Sequence, residues 1–348
     1  MTTLLHLVGS PTDEFHAELS RLYAGGCLEA LETAATYQSY LAYVTPDGRW
    51  RFPAALDTRS LDEARAVPLA EAIRLIGTLG IDAVVPQMFC RSGMTSYRAL
   101  FDVLGLPYLG NRPEAMAIGA DKAVARALVS AAGVAVPAGE VVRPGEPPAL
   151  PLPVVVKPVD SDNSVGVSLV RNSIEYAPAV ALACSHSGAA LVESFVELGR
   201  EVRCGIVVRD GELVCLPLEE YAVDPQTKPI RTGEDKLART ADGELYLVAK
   251  DPARAWIVVD DDELTERVWA LARRCHVALG CRHYSLFDFR IDPDGVPWFL
   301  EAGLYCSYAP GSVLSVMAAA AGIDVADLVA MGLHELQREG ALCSTTSR

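Results

Sequence analysis

The chain has 348 residues, of which 51% are hydrophobic, and its net charge is −15. A chain of this length can bury a large core and suits two or three domains better than one. The acidic balance argues against nucleic acid or an anionic membrane as the main partner, because both are bound through an excess of lysine and arginine. A small anionic ligand stays compatible with this charge, since a few cations can be concentrated in one cleft.

Cysteine usage and the N terminus indicate the cell compartment. Nine cysteines are scattered along the sequence without a CxxC pair, so neither a disulfide framework nor a zinc site is indicated. The opening residues, MTTLLHLVGS, lack the basic segment and long apolar core of a signal peptide. No run approaches the ~20 apolar residues of a membrane span. We therefore expect a cytoplasmic protein that begins with a buried strand.

The first third of the chain alternates predicted strands and helices. LLHLVGS, YLAYVTP and DAVVPQ are typical of buried strands, and PLAEAIRLIGTLGI and SYRALFDVLGL have apolar residues at helical spacing. Such alternation predicts a mainly parallel sheet with helices on both faces. We assign it to an N-terminal α/β domain over residues 1–113.

The sequence after residue 113 contains further predicted elements. A helix in PEAMAIGADKAVARALVSAAGV precedes VVRPGEPPALPLP, which is too rich in proline for a helix or a central strand. Residues 219–250 are rich in charge, proline and glycine, which predicts a long surface loop or lid. DDELTERVWALARRCHVALG predicts a helix, with acids at its start and basic residues near its end as the helix dipole favours.

The segment PVVVKPVDSDNSVGVSLV places a lysine, Lys157, inside an apolar strand. A buried ammonium must reach the surface or meet an anion, because leaving it unpaired costs several kcal/mol. The loop that follows offers small side chains, hydroxyls and backbone N–H groups, which suit a loop that closes over phosphates. A solvent-facing lysine on an edge strand, followed by a plain hairpin turn, is the alternative.

Two carboxylates fall on a predicted hairpin in SLFDFRIDPDGVPWFLEAG. Asp288 and Glu301 lie near the ends of the two strands around the PDGV turn, so they can face each other. Opposed acids repel unless a cation lies between them, and oxygen ligands of this number suit Mg²⁺ that is also held by phosphates. A solvated sheet face with Arg290 as the salt partner is equally compatible with the spacing.

A third segment, LVESFVELGREV, places Glu193 and Glu201 around an apolar strand end. Such acids can accept hydrogen bonds from ribose hydroxyls or from an amino group. Solvated turn residues are the alternative interpretation of both.

Five motifs in this order resemble the ATP-grasp superfamily, and within it the D-alanine–D-alanine ligase-like branch. They are ADKAVARALVSAAGVAVP, PVVVKPVDSDNSVGVS, LVESFVELGREV, FDFRIDPDGVPWFLEAG and PGSVLSVMAAAAGI, and the resemblance extends over roughly residues 83–335. DAVVPQMFCRSGMTSYRALFDVLGLPYLGN is similar to a late first-domain segment of the same family. The resemblance implies three α/β or α+β domains. The central domain covers residues 114–200, the C-terminal domain covers residues 201–348, and ATP is held between these two.

The resemblance also implies roles for individual residues. Lys122 and Lys157 contact the phosphates, the loop around Ser164 closes over them, Glu193 faces adenine and Glu201 faces ribose. The implied ATP contacts are Lys122, Lys157, Ser164, Val165, Gly166, Glu193, Phe195, Val196, Glu201 and Lys236. The implied catalytic residues are Lys157, Ser164 and Arg290, the implied substrate contacts are Glu14, Arg231 and Ser312, and the implied metal ligands are Asp288 and Glu301. One or two Mg²⁺ ions, replaceable by Mn²⁺, are expected.

Three departures from the family pattern concern the substrates. The family's arginine two residues before the strand aspartate is Leu286 here, and Gly303 stands where a further metal ligand is common. The first-domain loop offers Asp13 and Glu14 instead of the familiar glycine-rich sequence. The departures affect the expected substrate specificity and leave the expected ATP site largely intact.

We accordingly predict an ADP-forming ligase that joins two amino acids through an acyl phosphate. A dipeptide or γ-glutamyl-type product in specialised metabolism is our first interpretation. A cell-wall D-alanine–D-alanine ligase and a non-catalytic, regulatory ATP-binding protein are the alternatives. The expected partners are small amino-acid substrates, without nucleic acid or membrane, and the resemblance implies a homodimer.

Overall fold

The computed structural model describes residues 1–32, 36–161, 164–231, 237–239, 245–247, 253–258 and 263–340. Its N-terminal sheet has the strand order β3-β2-β1-β4, in which β2 and β4 run parallel to β1 and β3 runs antiparallel to β2. The strands are β1 Thr2–Gly9, β2 Tyr37–Val44, β3 Trp50–Arg51 and β4 Ala83–Pro86. The predicted mainly parallel sheet is confirmed, with β3 as its antiparallel edge.

Helices cover this sheet and connect it to the rest of the chain. Around the sheet lie α1 Glu14–Glu32, α2 Thr58–Glu63, α3 Leu69–Ile76, α4 Arg91–Met94 and α5 Ser96–Leu104. Two helices follow, α6 Pro113–Gly119 and α7 Lys122–Ala131. The first begins with proline, whose missing N–H costs nothing at that position. Asp121 caps the second by accepting hydrogen bonds from two backbone N–H groups of the first turn.

A central antiparallel sheet has the strand order β5-β8-β6-β7 and packs against one helix. Its strands are β5 Gly139–Val142, β6 Val154–Pro158, β7 Ser168–Val170 and β8 Ala190–Ser194, and the helix is α8 Ser173–His186. The strands β6 and β7 pair antiparallel, so the predicted strand, loop and strand around Lys157 are confirmed.

The C-terminal sheet has six strands, with the order β14-β11-β9-β15-β16 and β10 paired to β9. Its strands are β9 Arg200–Arg209, β10 Glu212–Cys215, β11 Glu219–Tyr221, β14 Ala255–Ile257, β15 Tyr284–Ile291 and β16 Pro297–Gly303. Two short strands, β12 Leu237–Arg239 and β13 Leu245–Leu247, pair with each other. The prediction of a loop from residue 219 was therefore wrong at its start, where β11 joins the sheet and buries Glu219.

Three helices complete the C-terminal region: α9 Glu263–Ala278, α10 Val313–Ala320 and α11 Val325–Arg338. In the described part of the chain no single helix is long and apolar enough to cross a membrane. Helices α10 and α11 meet the length and composition criteria only as a pair bent by 98°. Both contribute to the apolar core that joins the N-terminal and C-terminal sheets. Met317 of α10 is part of this core, together with Leu4 of β1 and Val207 of β9.

Candidate active site

One face of the C-terminal sheet carries alternating acidic and basic side chains. Glu201 and Arg203 share a face of β9, and Asp288 and Arg290 share a face of β15, because alternate strand residues point to the same side. The strand register pairs Glu201 with Arg290 and Arg203 with Asp288. On the other side of β15, Asp288 lies opposite Glu301 of β16. The predicted opposition of these two carboxylates is confirmed at the level of the strand register.

The four charged side chains of β9 and β15 are buried and paired. Arg290 donates to Glu201 Oε2 from Nη2 at 2.7 Å and from Nε at 3.2 Å. Arg203 donates to Asp288 Oδ2 from Nη2 at 2.8 Å, and its Nε donates to Oδ1. Bidentate pairing of this kind offsets the cost of removing the charges from water. The sheet face is consequently rigid as well as charged.

Arg231 links the two carboxylates of this face. Its Nε donates to Glu201 Oε1 at 2.6 Å and its Nη2 donates to Asp288 Oδ2 at 2.5 Å. The guanidinium carbon lies 4.0 Å from the centre of the Tyr221 ring. Burial lowers the pKa of Arg231, but Asp288 and Glu201 outweigh that effect, so the pKa lies above its ordinary value. Arg231 therefore stays charged and occupies the space beside both acids.

Two lysines approach the same face from the central region. Lys157 of β6 lies 2.5 Å from Glu193 Oε2 and donates to the carbonyl oxygen of Leu300 at 3.3 Å. Lys122, the first residue of α7, lies 3.8 Å from Glu301 Oε2 and donates to the carbonyl oxygen of Ser161. Both lysines are buried, with 7% of each residue exposed. Lys157 is thus not a solvent-facing lysine, and the alternative interpretation of its strand was wrong.

The central and C-terminal sheets enclose a cleft of about 630 Å³, open at its mouth, which we name the charged cleft. It includes a serine of the polar loop after β6, the two paired carboxylates and their cationic partners. Its lining contains Lys157, Ser164, Glu193, Val196, Glu201, Arg231, Asp288, Arg290 and Glu301. Five of the ten ATP contacts expected from the sequence therefore line one cavity, and their roles stay predictions.

The polar loop after β6 has a backbone that depends on glycine. Ser164 and Gly166 have positive φ angles of 57° and 72°. A Cβ on Gly166 would lie 2.9 Å from a ring atom of His186 and 3.0 Å from Pro158. The close packing and left-handed backbone explain why glycine follows Val165 at this turn.

A second cavity of about 800 Å³ adjoins the charged cleft, and we name it the serine pocket. It shares Asp288 and Glu301 with the cleft. Its other lining residues are Tyr23, Arg203, Leu286, Ala302, Gly303, Tyr305, Cys306, Ser307, Ser312, Val313 and Leu314. Ser312 lies at the N-cap of α10 and its hydroxyl donates to Ser315 Oγ at 3.0 Å. The two shared carboxylates mark the boundary between the cavities.

Five predicted contacts are not part of either described lining: Glu14, Lys122, Val165, Gly166 and Phe195. Glu14 is exposed at the start of α1 and, as far as the described residues define the cavities, lines neither of them. Phe195 is not part of the described lining; its N–H donates to the carbonyl oxygen of Pro153, and its ring lies 5.3 Å from the Arg290 guanidinium. Lys236 lies outside the described residues. Their proposed roles stay predictions.

Sequence reasoning missed two residues of the serine pocket and one that supports the charged cleft from outside its described lining. Arg126 of α7 holds Glu193 through a hydrogen bond of 3.2 Å from its Nε. Arg203 lines the serine pocket, and Tyr23 of α1 reaches the same pocket from the N-terminal region. A signal for Arg203 was present, because Glu201 and Arg203 alternate with apolar residues on a strand that is otherwise buried.

The residues present fit a magnesium ion held together with phosphates. Asp288 and Glu301 are opposed on neighbouring strands and line both cavities. Within the described ranges no group of three or more His, Cys, Asp or Glu side chains forms a complete metal site. Mg²⁺ commonly uses one or two carboxylates and completes its coordination with water and substrate phosphates. Two carboxylates beside two lysines agree with that pattern.

Comparisons with known proteins identify the class. A family profile described as the D-ala D-ala ligase C-terminus matches residues 143–333. A D-alanine–D-alanine ligase from Mycolicibacterium smegmatis is 32% identical over 259 residues, which cover 72% of this chain and 67% of that protein. A D-alanine–D-alanine ligase from Gloeobacter violaceus is 33% identical over 240 residues, covering 67% of this chain and 74% of that protein.

Solved structures agree on the fold. A D-Ala:D-Ser ligase from Enterococcus faecalis superposes with a TM-score of 0.76 at 21% identity, covering 96% of this chain and 99% of that chain. A D-alanine–D-alanine ligase from Coxiella burnetii gives 0.75 at 17% identity, covering 98% and 97%. The fold is that of the ATP-grasp enzymes, the ADP-forming carboxylate–amine ligases. Within that class, this chain belongs to the D-alanine–D-alanine ligase family.

Proposed function

We propose that this protein uses ATP to join the carboxylate of one D-alanine to the amine of a second. The supporting observation is the pair of adjoining cavities with Asp288 and Glu301 at their boundary. One cavity is lined by the cations that a triphosphate requires, and the other by the small and hydroxyl-bearing side chains that suit amino acids. The reacting carboxylate and γ-phosphate would meet where the cavities join.

The curated relatives favour this reaction over our first interpretation from the sequence. The altered substrate loops, such as the first-domain loop with Asp13 and Glu14, favour a dipeptide or γ-glutamyl-type product over D-alanyl-D-alanine when the sequence is taken by itself. The relatives at 32% and 33% identity are D-alanine–D-alanine ligases, so this alternative now takes first place. A non-catalytic role loses its support, because the family is one of ligases and the two lysines and two boundary carboxylates come together around the charged cleft.

In the proposed reaction the chain positions two anions that repel each other. Lys122 and Lys157 are placed to neutralise the phosphates, with the loop from Ser164 to Gly166 closing above them. Asp288 and Glu301 would hold Mg²⁺, which supplies further positive charge at the phosphates when bound. Screening of this kind is required before a carboxylate can approach a γ-phosphate in line.

Nucleotide binding requires an exchange of partners in the charged cleft. Lys157 now contacts Glu193, and Arg231 now contacts Glu201 and Asp288. We infer that both cations turn towards phosphate oxygens, which frees Glu201 Oε1 for the ribose. The same movement removes one of the cations at Asp288, which stays paired with Arg203, so that the metal can approach. Arg126 continues to neutralise Glu193 after Lys157 leaves it.

The test is phosphate release from ATP and Mg²⁺ with D-alanine, L-alanine or L-glutamate, followed by mass analysis of the product. We expect phosphate release that depends on D-alanine and a product with the mass of D-alanyl-D-alanine. Turnover with L-glutamate and another amino acid, but not with D-alanine, would restore the γ-glutamyl interpretation. Tight ATP binding without phosphate release for any pair would overturn the proposed function.

A further inference from the structure

Arg203 is the one positively charged side chain in the described lining of the serine pocket. The other charged members of this lining are the boundary acids Asp288 and Glu301, and the remainder are apolar or hydroxyl-bearing. By contrast, Lys157, Arg231 and Arg290 line the charged cleft and are absent from the described part of the pocket wall. Among the residues described in this wall, Arg203 is therefore the cation that negative charge developing inside the pocket can meet.

The guanidinium of Arg203 is held in a fixed orientation. It makes a bidentate pair with Asp288 across the strand register, and its carbon lies 5.4 Å from the centre of the Tyr221 ring. Only 6% of the residue is exposed. A permanently charged donor on a central strand needs little reorganisation during a reaction.

The proposed reaction produces negative charge at this position. In its first step a carboxylate oxygen of one amino acid bonds to the γ-phosphorus, and the bond from that phosphorus to ADP breaks. In the second step the amine nitrogen bonds to the carbonyl carbon of the acyl phosphate, and the carbonyl π electrons move onto oxygen. That tetrahedral intermediate collapses by expelling inorganic phosphate, while the amine proton leaves to phosphate or water.

We propose that Arg203 is a catalytic residue that donates hydrogen bonds to the oxyanion of this tetrahedral intermediate. The inference rests on the proposed ligase function. It follows from the position of the guanidinium beside the boundary carboxylate Asp288 and from its place in the pocket wall. A fixed donor beside a developing oxyanion acts mainly on the transition state, so its removal lowers kcat more than it raises KM.

The opposing possibility is that Arg203 only neutralises Asp288. Two features of the chain separate these roles. Arg200 lies on the same strand, pairs with Glu220 at 2.7 Å and lines neither cavity in the described residues, so Arg200→Gln is a matched control. Leu286 lies on the same face of β15 as Asp288 and lines the serine pocket. An arginine there would return a cation to the pocket without rebuilding the original strand pair.

The experiment measures kcat and KM for D-alanine and the affinity for ATP in purified Arg203→Gln, Arg203→Lys and Arg203→Gln/Leu286→Arg. We expect Arg203→Gln to lower kcat by roughly 100-fold to 1,000-fold, with KM for D-alanine changed by less than about threefold. ATP affinity should stay close to that of the wild type. Arg203→Lys should retain more activity than Arg203→Gln, and the added Leu286→Arg should recover about tenfold or more of the lost kcat.

Three results would overturn the inference: an unchanged kcat in Arg203→Gln, a change confined to KM, or a loss equal to that of Arg200→Gln. If Arg203→Gln does not fold, the comparison of Arg203→Lys with the wild type decides, since it keeps the charge but loses bidentate donation. Failure of the proposed function is distinguishable, because the wild type itself would then release no D-alanine-dependent phosphate.

Discussion

The charged cleft and the serine pocket share two carboxylates but differ in how their charges are arranged. In the described lining of the cleft, three cations pair with three of the four acids: Lys157 with Glu193, Arg290 with Glu201, and Arg231 with both Glu201 and Asp288. In the pocket, Arg203 stands beside the boundary acids among small and hydroxyl-bearing residues. The paired side chains of the cleft can exchange one another for the phosphates of a nucleotide. A single fixed cation in the described pocket wall can instead favour the tetrahedral oxyanion over the uncharged carbonyl of the substrate.

The largest expected effect comes from the cleft. Lys157→Ala removes a buried ammonium beside Glu193, and we expect D-alanine-dependent phosphate release to fall by roughly 1,000-fold because the phosphates lose a charge-assisted donor. The fold should survive, since Arg126 still neutralises Glu193 at 3.2 Å. Steady-state kinetics and circular dichroism check both statements.

Lys228→Ala is the control for that variant, because Lys228 is outside the described lining of both cavities. Activity near that of the wild type in Lys157→Ala would show that Lys157 does not stabilise the phosphates.

The boundary between the two regions is tested by Glu301→Gln. The amide keeps the shape of the side chain but removes the charge opposite Asp288. We expect kcat to fall by roughly 100-fold and the Mg²⁺ concentration for half-maximal activity to rise, because one anionic metal ligand is lost. The exposed Glu197→Gln serves as the control. An unchanged Mg²⁺ dependence would show that Glu301 does not bind the metal.

A smaller effect is expected from Arg231→Gln, which affects only the cleft. Arg231 lines the charged cleft and is absent from the described wall of the serine pocket. We expect KM for ATP to rise about tenfold, the value of one lost charge-assisted hydrogen bond, with KM for D-alanine unchanged. Arg209→Gln, on an exposed part of β9, is the control. Equal changes in both KM values would contradict the division into two functional regions.

The smallest effect concerns stability outside both cavities. Burial lowers the pKa of His6 to about 4, and the described linings of the cleft and pocket contain no histidine. Below its unfolded pKa of about 6.5 the unfolded chain binds a proton that the folded chain excludes, so stability falls as the pH decreases from about 6.5 to 4. We expect His6 to contribute on the order of 1 to 2 kcal/mol to this loss between pH 7 and pH 5.

Urea unfolding of the wild type and of His6→Gln at pH 5, 6 and 7 measures that contribution. The free energy of unfolding should depend less steeply on pH in His6→Gln, whatever its stability at pH 7. His334→Gln is the control, because the His334 side chain is 53% exposed. Equal pH slopes in His6→Gln and the wild type would assign the acid sensitivity to other groups.

Much of the charged cleft was predictable because its residues lie in continuous segments with distinct local patterns. Lys157 interrupts an apolar strand, and Asp288 and Glu301 are placed by the hairpin around the PDGV turn. The wall of the serine pocket was not predictable in the same way. Ser312 was expected there only through the family resemblance, whereas Tyr23 and Arg203 come from two distant segments, and no local pattern states that these residues converge.

Local patterns also misjudged the segment after residue 218. Its charge, proline and glycine content predicted a loop, but β11 pairs with both β9 and β14 and buries Glu219. A buried acid on a short strand is stable only where a partner is available, and here Tyr221 donates its hydroxyl proton to Glu219. That pairing depends on the completed sheet, so the amino-acid composition of residues 219–250 does not reveal it.

By itself the sequence determined the alternating strands and helices, the family and the positions of the main phosphate and metal candidates, because periodicity and short motifs are local properties. The tertiary structure alone decided that Arg231 bridges Glu201 and Asp288, that Arg203 serves the serine pocket and that the two cavities meet at Asp288 and Glu301. The hydrogen bonds of Arg231 and Arg203 join residues 30, 57 and 85 positions apart, and only strand register and packing bring their charges together.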